Sequence, residues 1–520
     1  MLSLAKHLVG EILRFAQDDK GSMKKLIALW SLVAIPAFAI SPVEMSHAAR
    51  DYRMKHEREI VGELMELLAI PNLASDTTNI EKNANALVTM LTRRGAEARL
   101  LRMEGTPPLV YATLPSRNAK ITIAFYAHYD GQPVDPKQWT TPPWQPVLRN
   151  PSGSPIEPSS HIDPESRLYA RSASDDKAPI IAMLTALDAL KSVKATPSVN
   201  LKFVFEGEEE AGSPHLGAYF DRYPKELAAD AWMLCDGPVH QSRHMQLYYG
   251  ARGVTDLEMT VYGPSRPLHS GHYGNWAPNP IVTLTHLIDS MRDTDGRILI
   301  AGYYDDVTPL TDVERDALGA IPNFDDDLKR ELALGRTEGA GKSLNELILI
   351  PALNLRGFVA GHVEEQASNT ISTEARASID FRLVPAQTPE RVRERVERHI
   401  AAQNFFIVRE NPDAATRMAH PNVVKLVWGP GYPASRTSMD LPISRRVANV
   451  ITAAQGVPPY LLPSLGGSVP MYLFRHGNTP VVGVPIVNHD NNQHAANENL
   501  RIQNLWDGIE IFAALFTNLR

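Results

Sequence analysis

Five short stretches place imidazoles and carboxylates where they could hold divalent metal ions. His128-x-Asp130 follows the apolar run 121–127 (ITIAFYA). Asp175-Asp176-Lys177 stands just before a helical pattern. Glu206-Gly207-Glu208-Glu209-Glu210 follows the apolar run 201–205 (LKFVF), Asp236 follows 231–235 (AWMLC), and His494 follows 481–487 (VVGVPIV). Taken singly, each has an ordinary reading: a polar strand end, a helix cap, a solvated charge run, a turn acid, a loop histidine. His489 competes with His494 for the same role. Together they offer two histidines and three carboxylates, enough for two divalent ions that share one bridging carboxylate. Four glutamates in five positions repel one another, and a cation would relieve that repulsion. Cys235 is the single cysteine, so thiolate clusters and intrachain disulfides are excluded. Nitrogen and oxygen donors suit Zn²⁺, with Mn²⁺ or Co²⁺ as substitutes. Two close ions can activate a water and polarise a carbonyl.

The elements that must position these groups are legible as alternating periods. The apolar runs read as buried strands that end in polar loops, where open α/β sheets bind their ligands. Between them, 54–68, 179–193 and 502–519 carry helical spacing. Strands alternating with helices predict an α/β sheet flanked by helices. The middle of the chain differs. Residues 253–262 and 375–384 alternate like half-exposed strands, and 280–292 and 388–400 read as helices, which predicts a smaller α+β segment inserted at 248–430. The expected organisation is therefore a catalytic domain in two parts, 49–247 and 431–520, interrupted by that segment. The stretch 303–349 fits no pattern. At 520 residues, two to three domains are expected. Net charge is −7, so there is no basic excess to meet a nucleic acid.

Near the N-terminus, Met23-Lys24-Lys25 precedes a ten-residue apolar run, 26–35, and Ala37-Phe38-Ala39 follows it. This predicts a secretory signal peptide, cleaved after residue 39 or after Ala48, and a true start at Met23 with 1–22 a mis-assigned extension. An exported, periplasmic protein is expected, with no stable membrane span once the signal is removed.

AHYDGQPV, the DDK before a helix, EGEEEAGS, the strand-end Asp236 and HAANENL resemble, in that order, the M20 metallopeptidase family. The family includes carnosinase-type dipeptidases, glutamate carboxypeptidases, aminoacylases and succinyl-diaminopimelate desuccinylase. The resemblance runs from about residue 54 to the end. It implies a zinc-binding α/β catalytic domain with an inserted lid that often dimerises. It also implies His128, Asp175 and Asp236 at one zinc ion and Asp175, Glu210 and His494 at the other, with Asp175 bridging. Glu209 would be the general base, and Asp130 would orient His128. His269 of the lid would stabilise the oxyanion, often across a homodimer. Asn369, Arg382, Gly467 and Ser468 would bind the substrate. Two departures affect loop backbone: Ala170-Arg171-Ser172 stands where the family has Gly-Arg-Gly, and Ala178 follows DDK where Gly is usual.

The expected activity is hydrolysis of small peptides that carry a free carboxylate. The alternative is deacylation of N-acyl amino acids by the same machinery. A non-catalytic binding protein would not need Glu209 beside the ligands, and no Gly-x-Ser-x-Gly elbow supports a serine hydrolase.

Overall fold

The computed structural model describes residues 40–520 except 118, 160, 476 and 477. The expected signal run 26–35 lies outside the described residues. An eight-stranded mixed sheet runs in the order Glu97–Leu101, Leu109–Leu114, Asn200–Glu206, Thr122–His128, Ala231–Leu234, Val481–Gly483, Gln246–Tyr248, Tyr460–Leu462. Its four central strands are parallel, from Asn200–Glu206 through Val481–Gly483. His128 pairs in register with Glu206, so the carboxyl ends of these strands share one rim. The strand expected over 481–487 stops at Gly483. Pro485 has no N–H to give a ladder and limits it.

Helices cover both faces. Phe125 and Phe203 meet Phe516 of the helix Ile502–Asn518 edge-on, at 5.0 and 5.7 Å. On the other face Trp232 packs on Phe474 at 5.0 Å and on Phe220 at 5.7 Å. The helix Lys177–Ser192 is buried on nearly every side rather than along one stripe. That fits a sequence with no charge between Lys177 and Asp188. The helix expected over 54–68 is two helices, Pro42–Lys55 and Glu57–Leu68, broken at His56.

The first of these helices corrects the expected cleavage after Ala48. Ser41 and Glu44 form a capping box at its start. Met45 and Ala49 are fully buried, and Ser46 Oγ donates to Glu510 at 3.0 Å. Residue 48 is thus mid-helix, in an element packed against the rest of the molecule. No helix among the described residues is long and apolar enough to cross a membrane.

A second sheet has the order Ala352–Val359, Glu374–Leu383, Gly253–Tyr262, Val423–Trp428, Phe406–Val408. It is antiparallel except for the last pair. Its buried face, with Leu257, Met259, Ile379 and Phe381, packs on Leu284 and Leu287 of the helix Pro280–Asp289 and on Val392 and Val396 of the helix Pro389–Ala402. The stretch 303–349 holds three short helices, Asp312–Gly319, Asp325–Glu331 and Leu344–Leu347. It reaches back to the first sheet: Ile321 joins the core that includes Leu462, and Glu314 pairs with Arg436 at 3.2 Å.

Candidate metal centre

The strand Thr122–His128 delivers a fully buried His128 to the rim. Its Nε2 lies 2.9 Å from Asp175 Oδ1, and its Nδ1 lies 3.3 Å from Asp130 Oδ1. Asp130 also accepts the backbone N–H groups of Glu209 at 3.1 Å and Glu210 at 3.0 Å. One buried carboxylate therefore fixes the histidine ring and the acid loop together.

The run of four glutamates is resolved by sending three of the side chains to different partners. Glu206 accepts from Tyr126 Oη at 2.6 Å, and burial pushes its carboxyl up to about 8. Glu208 meets His215 Nδ1 at 2.9 Å. Glu210 accepts from Gln132 Nε2 at 2.7 Å and lies 3.2 Å from His494 Nε2. Glu209 makes no such tie. Burial pushes its carboxyl well above the usual range, the nearby His128 opposing and Asp236 adding to the effect. The loop needs Gly207: a Cβ there would come within 2.5 Å of the Tyr129 hydroxyl, which itself donates to Pro108 O.

Asp175 sits on the loop before the helix Lys177–Ser192, between the two histidines. Its oxygens lie 2.9 Å from His128 Nε2 and 3.1 Å from His494 Nε2. Burial acts to raise its carboxyl, but the hydrogen bonds from His128 and His494 outweigh that and hold it below the usual range. Asp236, past the strand Ala231–Leu234, is pushed up to about 7 by burial and then by the Asp175 charge. His494 is raised to about 10 by its bonds to Asp175 and Glu210.

Two donor groups emerge. His128, Asp175 and Asp236 form one, and Asp175, Glu210 and His494 form the other; within each, the ligand atoms lie within 4.8 Å of one another. Asp175 belongs to both. The donor set fits divalent cations, since carboxylates are concentrated here and, among the described residues, Asp175 pairs only with the histidines. His489 is absent from both groups.

The loop departures are accommodated. Ser172 takes the left-handed conformation (φ +62°) expected of the missing glycine. Its N–H donates to Glu498, and its Oγ accepts from Asn72 at 2.8 Å. Ala178 is fully buried in the first turn of the helix.

The remaining expected residues form two further groups. Arg382 Nη1 donates to Ser468 Oγ at 2.8 Å, and Gly467 O accepts from Arg252 N–H at 3.3 Å. His269 and Asn369 lie together at a small two-stranded ladder, Leu268–His269 with Thr370–Ile371, where Ser270 N–H donates to Asn369 O at 2.8 Å. Both are exposed. The partners of the His269 ring are Gly271 and His272, outside the metal cluster.

Residue types alone did not single out four other groups. Asn72 Nδ2 donates to Tyr129 O and Ser172 Oγ, both at 2.8 Å. Gln132 holds Glu210. Glu498 gathers the Asp175 loop. Tyr432, stacked on Tyr472 at 5.4 Å, is pushed up to about 12 by burial and by the Glu209 charge.

A ligand cluster of His and carboxylates at the carboxyl rim of a mixed α/β sheet defines a metallohydrolase. The chain belongs to peptidase family M20/M25/M40, whose model matches residues 124–518, and it is a metallopeptidase. Cys-Gly metallodipeptidase dug1 of Schizosaccharomyces pombe is 26% identical over 477 residues, covering 88% of this chain and 95% of its own. Beta-Ala-His dipeptidase of Homo sapiens is 28% identical over 425 residues, covering 79% and 78%. The crystal structure of an M20 family metallo-carboxypeptidase, Sso-CP2 from Sulfolobus solfataricus, superposes with a TM-score of 0.72 at 28% identity, covering 89% of this chain and 99% of that one. These comparisons overturn the expected export to a bacterial periplasm. The two dipeptidases named above are eukaryotic, and they give no support to a periplasmic address.

Proposed function

We propose that the chain is a two-zinc dipeptidase that hydrolyses small peptides with a free terminal carboxylate. The observation that carries this reading is Asp175, whose carboxylate belongs to both donor groups. In the proposal His128 and Asp236 complete one site, and Glu210 and His494 complete the other. Bound there, the ions supply Lewis acidity toward the scissile carbonyl and lower the pKa of water. Glu209, unpaired and raised in pKa, takes the water proton and passes it to the leaving nitrogen. Asp130 holds the His128 ring. The dipeptide substrate class rests on the names of the relatives.

Arg382, with Ser468 and Gly467, is the proposed seat for the substrate carboxylate. A planar guanidinium already bonded to a hydroxyl suits bidentate recognition. Residues 248–430 are proposed as a lid, with 49–247 and 431–520 as the two catalytic parts. The lid would also form the homodimer. Its outermost strand, Ala352–Val359, has a free edge and exposes Leu355, Phe358 and Val359, the last at 69%. Such an edge is a template for a second chain. His269 and Asn369, exposed and outside the metal cluster, would then serve the partner's site, His269 as oxyanion donor.

The test is metal counting together with a substrate panel. About two ions per chain and cleavage of dipeptides, lost with a chelator and restored by zinc, are expected. Turnover of N-acyl amino acids without dipeptides would replace the reading with deacylation.

A further inference from the structure

Glu498 lies outside both donor groups, yet more hydrogen bonds converge on it than on any ligand. Its side chain is fully buried. Oε1 accepts the backbone N–H groups of Ser174 at 3.0 Å and Asp175 at 2.9 Å, and the Ser174 hydroxyl at 3.0 Å. Oε2 accepts the Ser172 N–H at 2.8 Å and Arg171 Nη1 at 2.8 Å. All five donors belong to the loop that carries Asp175.

Glu498 itself belongs to the segment that carries His494. Arg171 Nη2 reaches Ala495 O at 3.3 Å, and Ala170 N–H donates to Glu498 O at 3.2 Å. The next residues, Asn499–Arg501, pair antiparallel with Arg167–Tyr169. The two loops are thus joined through Glu498, and at their tips Asp175 and His494 stand 3.1 Å apart. Of the first donor group only Asp175 is held in this way, against Asp175 and His494 of the second. His128 ends one strand of the main sheet and Asp236 follows the adjacent parallel one.

Resting on the two-ion reading above, we propose that Glu498 is a positioning residue for one ion specifically, the one shared by Asp175, Glu210 and His494. Its charge is matched by Arg171, and its acceptors are matched one by one to N–H and O–H donors. An amide would turn an NH₂ group toward one of those donors and force the loops apart. The ion held by the sheet-borne His128 and Asp236 keeps most of its ligand geometry in that case, while the other loses the spacing between Asp175 and His494. Groups beyond the ligands typically alter metal affinity by about 10–100-fold.

The experiment titrates metal-free protein with Co²⁺ alone, followed by visible absorption and by counting bound metal after gel filtration. Wild type is expected to take two ions; if it takes fewer, the two-ion reading itself fails. Glu498→Gln is expected to bind the second ion about 10–100-fold more weakly and to weaken the first clearly less, with turnover recovering at high metal concentration. Unchanged affinity for both ions, or equal weakening of both, overturns the inference while leaving the two-ion reading intact. If Glu498→Gln does not fold, Ser174→Ala decides, since it deletes only the hydroxyl bond to Oε1. A second ion weakened more than the first supports the inference, and no change or equal weakening overturns it.

Discussion

Asp130 and His128 form a pair that organises more than a ring. Asp130 Oδ1 lies 3.3 Å from His128 Nδ1, and the same carboxylate holds the backbone of Glu209 and Glu210. A change at Asp130 therefore acts on the histidine and on the acid loop at once. Asp130→Ala is expected to lower both metal affinity and kcat/KM by about 10–100-fold. Parallel metal titration and kinetics check this; wild-type values for both would remove Asp130 from the site.

The Glu209 side chain has no hydrogen-bonded partner among the described residues, so an amide fits in its place. Glu209→Gln should retain both ions and lose at least ~10²-fold in kcat. Loss of metal instead would show that Glu209, rather than Glu210, is the ligand.

Glu206 gives a pH dependence of known sign. Its folded-state carboxyl is raised to about 8 from 4.5 by burial. Its contribution to stability is fully present below 4.5 and is lost as pH rises through 8. Glu206→Gln should therefore be more stable than wild type at pH 9, by on the order of a few kcal/mol, and the difference should shrink toward pH 5. Thermal melts at the two pH values decide it. A difference independent of pH contradicts the assignment.

Arg382 should act on binding rather than on chemistry. Arg382→Lys keeps the charge but loses the fork. We expect KM to rise at least ~10-fold with kcat little changed. A dipeptide amide, lacking the terminal carboxylate, should show no such penalty in the variant.

His269 tests the dimer. His269→Ala should keep its metal and lose about 10²–10³-fold in kcat. Mixed with Glu209→Gln protein, it should regain part of the activity through hybrid dimers in which one site has both groups intact. Wild-type turnover by His269→Ala removes it from the mechanism.

Much of the cluster was legible because its residues punctuate apolar runs. His128, Glu209, Glu210 and Asp236 each follow a buried strand, and a charge at the end of such a run marks the sheet's rim. Asp175 was less clear, since adjacent acids before a helix also read as caps. In the structure Asp176 is the helix's preceding residue and Asp175 faces the histidines. Asn72 was not legible: its partners Tyr129 and Ser172 lie 57 and 100 residues away, and nothing local announces such a bridge. Glu498 was hidden for another reason. An acid among asparagines in a loop looks solvated, and only the folded chain shows five donors closing over it. The stretch 303–349 sends Tyr303 into the core of the second sheet and Ile321 into that of the first, so no single period runs through it.

The strand Val481–Gly483 lies between Ala231–Leu234 and Gln246–Tyr248, which are separated in the chain by only a short loop. Those two strands leave a slot that is filled about 240 residues later in synthesis. Until then the main sheet is two incomplete pieces with open edges, and His494 and the helix that seals Phe125 and Phe203 are still to come. The order of translation thus opposes the order of assembly. Such long-range pairing is intrinsically slow and aggregation-exposed. The nascent chain must wait with unpaired strand edges while the second sheet is made, so metal capture is a late event and chaperone demand should be greatest for chains stalled before residue 481.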